Sequence, residues 1–455
     1  MMNMRHLEEY LRSLEGKRIL VLGMGVSNQP LLRLLLSHGL DVTACDKANT
    51  PELRAFADLG AKLNLGEHYL EHLSADVVFR TPGMHPGRPE LVRLQEQGAV
   101  LTSEMEAFFE VCPCRMIAVT GSDGKTTTTT LISELLRQAG HRVFVGGNIG
   151  RPLLDQADQM RPEDFAVLEL SSFQLMTMQA SPQIAVVTNL APNHLDVHKD
   201  MEEYVQAKKN IFLHQGPDDL LVLNQDNAIT RDFAPEARGS LRRFSRQERL
   251  EDGLWDDGNA IRRGEAVVIR HEDILLPGVH NLENYMAAIC AVQDYISDED
   301  VRAVAARFGG VEHRIELCRE KDGVRYYNDS IASSPSRTIA GLRSFSQKLI
   351  LIAGGYDKHI PYDVLGPEIT AHVKHLVLTG ATAGKIRAAV EAAPDYAPGS
   401  PVIEEYEDFA QAVRAAALAA EPGDMVILSP ASASFDKFKN FMERGETFKR
   451  LVAAL

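Results

Sequence analysis

Short apolar runs rich in valine and isoleucine recur along the whole chain, and they limit what it can fold into more than any other feature. They include RILVLG (18–23), MIAVT (116–120), FAVLEL (165–170), IAVVTNL (184–190), KLILIAGG (348–355), HLVLTG (375–380) and DMVILS (424–429). Each gives way to Gly, Ser, Thr or Asn before a longer, helix-compatible stretch. Runs of this kind suit strands covered on both faces, and their alternation with helices predicts an α/β protein with parallel sheets. At roughly 150 residues per domain, 455 residues make about three domains. The strand-and-glycine signals place them at 1–102, 103–310 and 311–455, with linkers near residues 101–104 and 308–310. The first and third are expected to be Rossmann-like, the second a parallel sheet of the P-loop ATPase type. Residues 238–276 differ, reading as short strands and turns that predict an antiparallel hairpin flap inside the middle domain.

The formal net charge is −15. A surplus of acid is unsuited to nonspecific nucleic-acid binding, which relies on a basic surface. It leaves room for a phosphorylated ligand held by a local cation and backbone N–H groups. The first residues, MMNMRHLEEYLRSLEGK, lack an apolar core, and no run approaches 18 apolar residues, so neither a signal peptide nor a membrane span is expected. The five cysteines include a Cys112-Pro-Cys114 pair without the spacing of a zinc site, and they predict reduced thiols in a cytoplasmic protein. Nothing in the sequence demands an oligomer, and a monomer is compatible with it.

The strongest local signal is Thr120-Gly121-Ser122-Asp123-Gly124-Lys125-Thr126-Thr127. An apolar strand enters it and a helix-forming run leaves it, so backbone N–H groups and a helix N-terminus face a phosphate chain. Lys125 is placed to reach the terminal phosphates, and the Thr126 hydroxyl suits Mg²⁺. The usual first glycine of such a loop is Val119 here. Glu169 ends another apolar strand, where a carboxylate reaches the mouth of a parallel sheet. His194, Asp196 and His198 alternate in NHLDVH; no further His or Cys completes a zinc set, so His194 alone, as one ligand of a divalent ion, is the better reading.

Near the N-terminus, Gly23-Met24-Gly25-Val26-Ser27-Asn28 follows the first strand, and Asp46 ends the second. This is close to a dinucleotide fingerprint, but Asn28 stands where the third glycine belongs, which favours a different nucleotide over NAD. A second phosphate-compatible turn, Thr81-Pro82-Gly83-Met84, follows the strand ADVVF.

Taken together these residues resemble the Mur ligases over essentially the whole chain, most closely the members that add D-glutamate. The marks are TGSDGKTT (120–127), GGNIG (146–150), LELSSFQL (168–175), NHLDVH (193–198), YVQAKKNIF (204–212), HNLEN (280–284), EHR (312–314), YYNDS (326–330), GGYDK (354–358) and LSPASASFDKFKNFMERGETF (428–448). The last is the most specific because of its length. The resemblance implies a cytoplasmic, ATP-dependent ligation of D-glutamate to the alanyl carboxylate of UDP-N-acetylmuramoyl-L-alanine, through an acyl phosphate, in peptidoglycan precursor synthesis. It implies ATP and Mg²⁺, as two ions, with Gly121, Ser122, Asp123, Gly124, Lys125, Thr126 and Thr127 at the phosphates. Asn281 and Asn284 match adenine-side positions, Arg314 a phosphate-side arginine and Asp329 a ribose-side acid. Thr126, Glu169, His194 and Lys208 match metal positions, Lys208 as a carbamate, and with Lys125 the last three form the implied catalytic set. Gly25, Val26, Ser27, Asp46, Gly83 and Asn148 fall where the UDP-sugar is taken. Ser333, Lys358, Ser434 and Phe441 match the D-glutamate pocket. The nearest alternative is another ATP-dependent amino-acid ligase of this architecture, a different Mur ligase or a folylpolyglutamate synthase, and the C-terminal block disfavours it.

One loop departs from the pattern. Residues 329–337 are DSIASSPSR where many relatives have D-S-K-A-T-N, so Ile331 replaces a lysine and Ser333 a threonine. Arg337, the nearest cation along the loop, is expected to supply the missing charge; the competing expectation is that it lies on a solvent-facing helix surface.

Overall fold

The structure is a computed structural model that describes residues 6–192, 198–358 and 360–455. Every apolar run named above forms a strand. The first sheet holds β1 (Ile19–Leu22), β2 (Val42–Asp46), β3 (Lys62–Leu65), β4 (Val77–Arg80) and β5 (Val100–Thr102) in the order β3-β2-β1-β4-β5. All its pairs are parallel. The order reverses between β1 and β4, so the loops after these two strands flank a crevice at the carboxyl edge, where ligands of open α/β sheets bind.

The second sheet contains β6 (Arg115–Thr120), β7 (Val143–Gly147), β8 (Phe165–Glu169), β9 (Ile184–Val187), β10 (Leu220–Asn224), β11 (Ser240–Ser245), β12 (Leu254–Asp256), β13 (Ala260–Arg263) and β14 (Ala266–Arg270). Their order is β14-β13-β12-β11-β10-β9-β6-β8-β7. β6 is central, in parallel register with β8 (Val119 opposite Glu169) and β9 (Thr120 opposite Val187). β6 and β8 are buried almost end to end, as two-sided cover requires. The expected flap at 238–276 is corrected in one respect. The antiparallel pairs β12/β13 and β13/β14 exist, but they continue the edge of this sheet instead of standing off it. Ile261, Val268 and Ile269 on the hairpin are fully buried, and a free flap would leave them in water.

The third sheet comprises β15 (Glu316–Lys321), β16 (Val324–Asn328), β17 (Leu349–Ala353), β18 (Val373–Leu378), β19 (Val402–Glu405) and β20 (Met425–Leu428), in the order β15-β16-β20-β17-β18-β19. Only β15 pairs antiparallel. The chain is thus an α/β protein with three parallel-dominated sheets.

The sheets divide between two compact units: residues 1–272 with 282–304, and residues 273–281 with 305–455. Within the first unit, the first two sheets share one hydrophobic cluster. It includes Tyr10, Leu11, Leu32 and Leu35 from the N-terminal side and Phe108, Leu153 and Leu154 from the middle segment. All five cysteines are free thiols, four of them buried. Among the described residues no helix is long and apolar enough to cross a membrane.

Glu104 supports the junction around that shared cluster. It lies in the first turn of the helix Glu104–Val111, and its Oε1 accepts hydrogen bonds from the backbone N–H groups of Leu153 (3.1 Å) and Leu154 (3.0 Å). Burial raises its carboxyl pKa to about 7, against the lowering effect of those two bonds. The unfolded chain therefore releases this proton at lower pH than the folded one, and stability is lost as pH rises from about 4.5 to about 7. Glu104→Gln keeps an acceptor oxygen and cannot ionise. Thermal melts are expected to show the variant gaining on the wild type between pH 5 and pH 8, by up to ~2–3 kcal/mol. An offset that does not change with pH would refute this.

Candidate functional site

The loop 120–127 follows β6 and opens the helix Lys125–Gln138. Gly124 is the N-cap, with φ +77°, and a Cβ there would lie 2.3 Å from Asn284 Oδ1; at Gly121, with φ +152°, it would lie 2.0 Å from Thr188 Oγ1. Only glycine allows both the turn and these approaches. The bend is braced from β9 and the residues after it. Asn189 Oδ1 accepts from Asp123 N (3.0 Å), Thr188 Oγ1 donates to Asp123 O (2.6 Å), and Ser122 Oγ donates to Ala191 O (2.9 Å) while lying 2.9 Å from Tyr204 Oη. The N–H groups of Ser122 and Asp123 are taken up by Asn189, so what the shaped loop offers a phosphate is the start of the helix at Gly124 and Lys125.

Lys125 folds back along this loop, its Nζ donating to the carbonyls of Gly121 (2.9 Å) and Ser122 (3.0 Å). Behind it lies a cluster of hard donors. Glu169 is buried at the end of β8, its Oε2 accepting from Thr126 Oγ1 at 2.7 Å and its Oε1 from Asn148 Nδ2 at 2.8 Å. Hydroxyl and carboxylate oxygens at one point suit Mg²⁺. Asn148, expected on the UDP-sugar side, is thereby tied to the carboxylate, and its N–H also donates to Glu169 O (2.8 Å).

Lys208 comes from the helix Met201–Lys209 and reaches the same loop from below. Its side chain is buried, Nζ donating to Gly121 O (2.9 Å) and Thr120 Oγ1 (3.1 Å) and lying 5.0 Å from the centre of the Tyr204 ring. Burial, reinforced by the Lys125 charge, lowers its pKa well below the usual lysine value. The neighbouring Lys209 faces away and pairs with Glu236, which separates the two lysines by environment. His194 lies outside the described residues, as does Asp196. His198 is buried, stacked on Phe173 (5.3 Å between ring centres), with Nε2 2.8 Å from Ser172 Oγ.

The helix Val279–Val292 carries both asparagines. Asn284 accepts from Thr128 Oγ1 (3.3 Å) and covers Gly124, whereas Asn281 donates to Pro277 O (2.6 Å).

On the first sheet, Gly25, Val26 and Ser27 follow β1 and Gly83 follows β4, on either side of the crevice. Val26 is exposed. Asp46 Oδ2 accepts from Met24 N (2.6 Å) and its Oδ1 from Ala48 N (2.7 Å). Asn28 is buried and donates to Gly23 O (2.8 Å), at the position where the third glycine of a dinucleotide fingerprint lets helix and strand pack closely.

In the second unit, Asp329 directly follows β16 and is buried, accepting from Ser429 Oγ (2.7 Å) and Ile315 N (3.3 Å). Burial raises its pKa to about 7, against the lowering effects of those bonds and of Arg314 and Arg337. Arg314 is flanked by His313 (φ +63°) and Ile315 (φ +46°), a backbone that a β-branched residue adopts only under constraint. Arg337 is exposed on the helix Pro335–Leu342, and its Nη1 donates to Ile331 O (3.3 Å). It lies on the helix surface and is turned back to the loop that lacks the lysine. Ser333 (after β16), Lys358 (after β17) and Ser434 (after β20) follow adjacent strands of the sheet, and Phe441 opens the helix Phe441–Ala453. Lys358 is exposed and Ser434 buried.

Several residues that build these sites have no role assigned by the sequence: Thr120, Tyr204 and Arg444, which lie inside motifs quoted above, and Thr188 and Asn189, a polar pair directly after an apolar strand.

A glycine loop opening a helix on a parallel sheet, with a buried carboxylate behind its threonine, defines a nucleotide-binding α/β protein of the P-loop class. Residues 119–292 match the Mur ligase middle domain, and residues 313–432 match the domain described as "Mur ligase, glutamate ligase domain". The chain is 53% identical to the UDP-N-acetylmuramoylalanine–D-glutamate ligase of Acetivibrio thermocellus, with 99% of each chain covered. It is 48% identical to the enzyme of the same name from Clostridium beijerinckii, covering 99% of this chain and 100% of that one. Among solved structures, the UDP-N-acetylmuramate–alanine ligase of Thermotoga maritima shares the fold, with a TM-score of 0.59 at 16% identity, covering 96% of this chain and 100% of that one. The chain belongs to the Mur ligase family.

Proposed function

We infer that the protein is an ATP-dependent ligase that joins D-glutamate to the alanyl carboxylate of UDP-N-acetylmuramoyl-L-alanine in cytoplasmic peptidoglycan precursor synthesis. What carries the choice of amino acid is the end-to-end likeness to D-glutamate ligases. The loop geometry supports the nucleotide chemistry. An alanyl carboxylate oxygen attacks the γ-phosphorus of ATP, giving an acyl phosphate and ADP. The amine of D-glutamate then attacks the acyl carbon and loses a proton, and phosphate leaves from the tetrahedral intermediate. The protein's part is charge neutralisation and alignment, for which no nucleophilic side chain is needed.

In this reading Gly121 to Thr127 cradle the phosphates and Lys125 exchanges its carbonyl partners for phosphate oxygens. Bound Mg²⁺ would supply positive charge to the transferring phosphoryl group, and Thr126, Glu169, His194 and Lys208 would hold it. Asn148 orients Glu169. Lys208 serves as a carbamate: its neutral amine attacks CO₂, forming an N–C bond and releasing a proton, which turns a buried amine into an anionic oxygen donor. Its burial and the lack of an ion pair among the described residues support this chemistry. Asn281 and Asn284 take the adenine, Asp329 the ribose and Arg314 a phosphate, while Gly25, Val26, Ser27, Asp46 and Gly83 take the UDP. Ser333, Lys358, Ser434 and Phe441 take D-glutamate, and the working domains are 1–102, 103–310 and 311–455.

The test is phosphate release with ATP, Mg²⁺, the UDP-muramoyl-alanine acceptor and a panel of D- and L-amino acids. Release should require the acceptor and D-glutamate together. Equal turnover with L-glutamate, or with any other amino acid of the panel, would overturn the assignment.

A further inference from the structure

A buried arginine underlies the loops of the proposed amino-acid pocket. Arg444, on the helix Phe441–Ala453, is 2% exposed. Its Nε donates to Ser330 Oγ (3.0 Å) and its Nη2 to Ser330 O (2.9 Å). Its Nη1 donates to two further carbonyls, those of Ser432 (3.1 Å) and Ala433 (3.0 Å). One rigid guanidinium fork thus joins the loop after β16 to the loop after β20, two segments about a hundred residues apart in sequence.

The surroundings are equally determined. Ser330 Oγ passes the contact on to Phe441 O (2.8 Å). Ala433 O also accepts from Tyr356 N (2.9 Å), which brings in the loop after β17. Ser432 Oγ lies 2.8 Å from both Tyr362 Oη and Thr382 Oγ1. A Cβ on Gly355 would approach Arg444 Nη1 to 3.1 Å, so the third loop also closes directly over the arginine. Among the described residues no ion pair satisfies this cation; carbonyl and hydroxyl oxygens do so, although burial lowers its pKa to about 10. A buried charge held by the oxygens of two loops, with the third loop bonded to the second through Tyr356 N and Ala433 O, fixes the three relative to one another, because moving either of the first two leaves the charge short of partners.

We propose that Arg444 is a positioning residue for the amino-acid substrate, setting the spacing of the loops that carry Ser333, Lys358 and Ser434. This rests on the D-glutamate assignment above, and wild-type activity across the amino-acid panel tests that assignment separately. Lysine at this position keeps the charge but offers a single point donor in place of the fork. Arg444→Lys is expected to raise KM for D-glutamate about 10-fold or more, with KM for ATP and for the UDP-acceptor within about twofold of wild type. Ser330→Ala removes only the hydroxyl bridge between Arg444 and Phe441, and should give the same selective rise at roughly 3- to 10-fold.

A purely structural role would instead lower the thermal midpoint and kcat while leaving KM for D-glutamate unchanged, and that result overturns the proposal. Should the lysine variant fail to fold by circular dichroism, the Ser330→Ala kinetics decide alone. An unchanged KM for D-glutamate there counts as refutation. Loss of D-glutamate dependence in the wild type would instead sink the underlying assignment.

Discussion

Lys208→Ala is expected to be nearly inactive in ligation, and millimolar acetate or a similar small carboxylate is expected to restore part of the activity. The side chain is buried beneath the phosphate loop, bonded to Gly121 O and Thr120 Oγ1 and set against the face of Tyr204. An ammonium there would stand beside Lys125 and have no lone pair to offer a metal ion. Desolvation and the Lys125 charge both favour the neutral amine. A neutral amine is the form that captures CO₂, and a carbamate formed there would supply the oxygen donors that Mg²⁺ prefers. Truncation removes those oxygens and opens a cavity that a small carboxylate can enter. Because CO₂ adds to the free amine, mass spectrometry under native conditions should show an added mass on the wild type and none on the variant. Full activity of Lys208→Ala without added acid would remove the lysine from the site.

Lys125→Ala should lose turnover by on the order of 10²-fold or more, about 3 kcal/mol of transition-state stabilisation. The lysine is held by two carbonyls of its own loop, Gly121 O and Ser122 O, so it is positioned before a ligand arrives. Charge that develops on the transferring phosphoryl group meets a cation already in place. The loss should fall mainly on kcat, since backbone N–H groups still bind the phosphates. A variant with normal kcat and a raised KM for ATP alone would assign Lys125 to ground-state binding.

Two of these residues show how unevenly the site was legible in sequence. Lys125 and Thr126 announce themselves, because a phosphate loop is contiguous: strand, glycines, lysine and helix start follow one another, and local sterics force the turn. Glu169 was readable for a related reason, as the polar end of an apolar run. Lys208 could be picked from Lys209 only by resemblance. What separates them physically is tertiary: Lys208 donates to residues 87 and 88 positions away, while Lys209 pairs with Glu236 at the surface.

From the sequence by itself came the class of fold, the strands, the phosphate loop and the family, all of which depend on residues that are neighbours in the chain or on motifs that are. The tertiary structure alone decided that Asn148 is bonded to the Glu169 carboxylate, that the hairpin of residues 260–270 extends a sheet edge, and that the first two sheets share one core. It also decided that Arg444 holds loops from β16 and β20 together. In each case the energy lies in burial and in hydrogen bonds between segments far apart in sequence. Such pairings leave no periodicity in the chain, because the desolvation that makes a buried carboxylate, amine or guanidinium seek its partner exists only once the segments have packed.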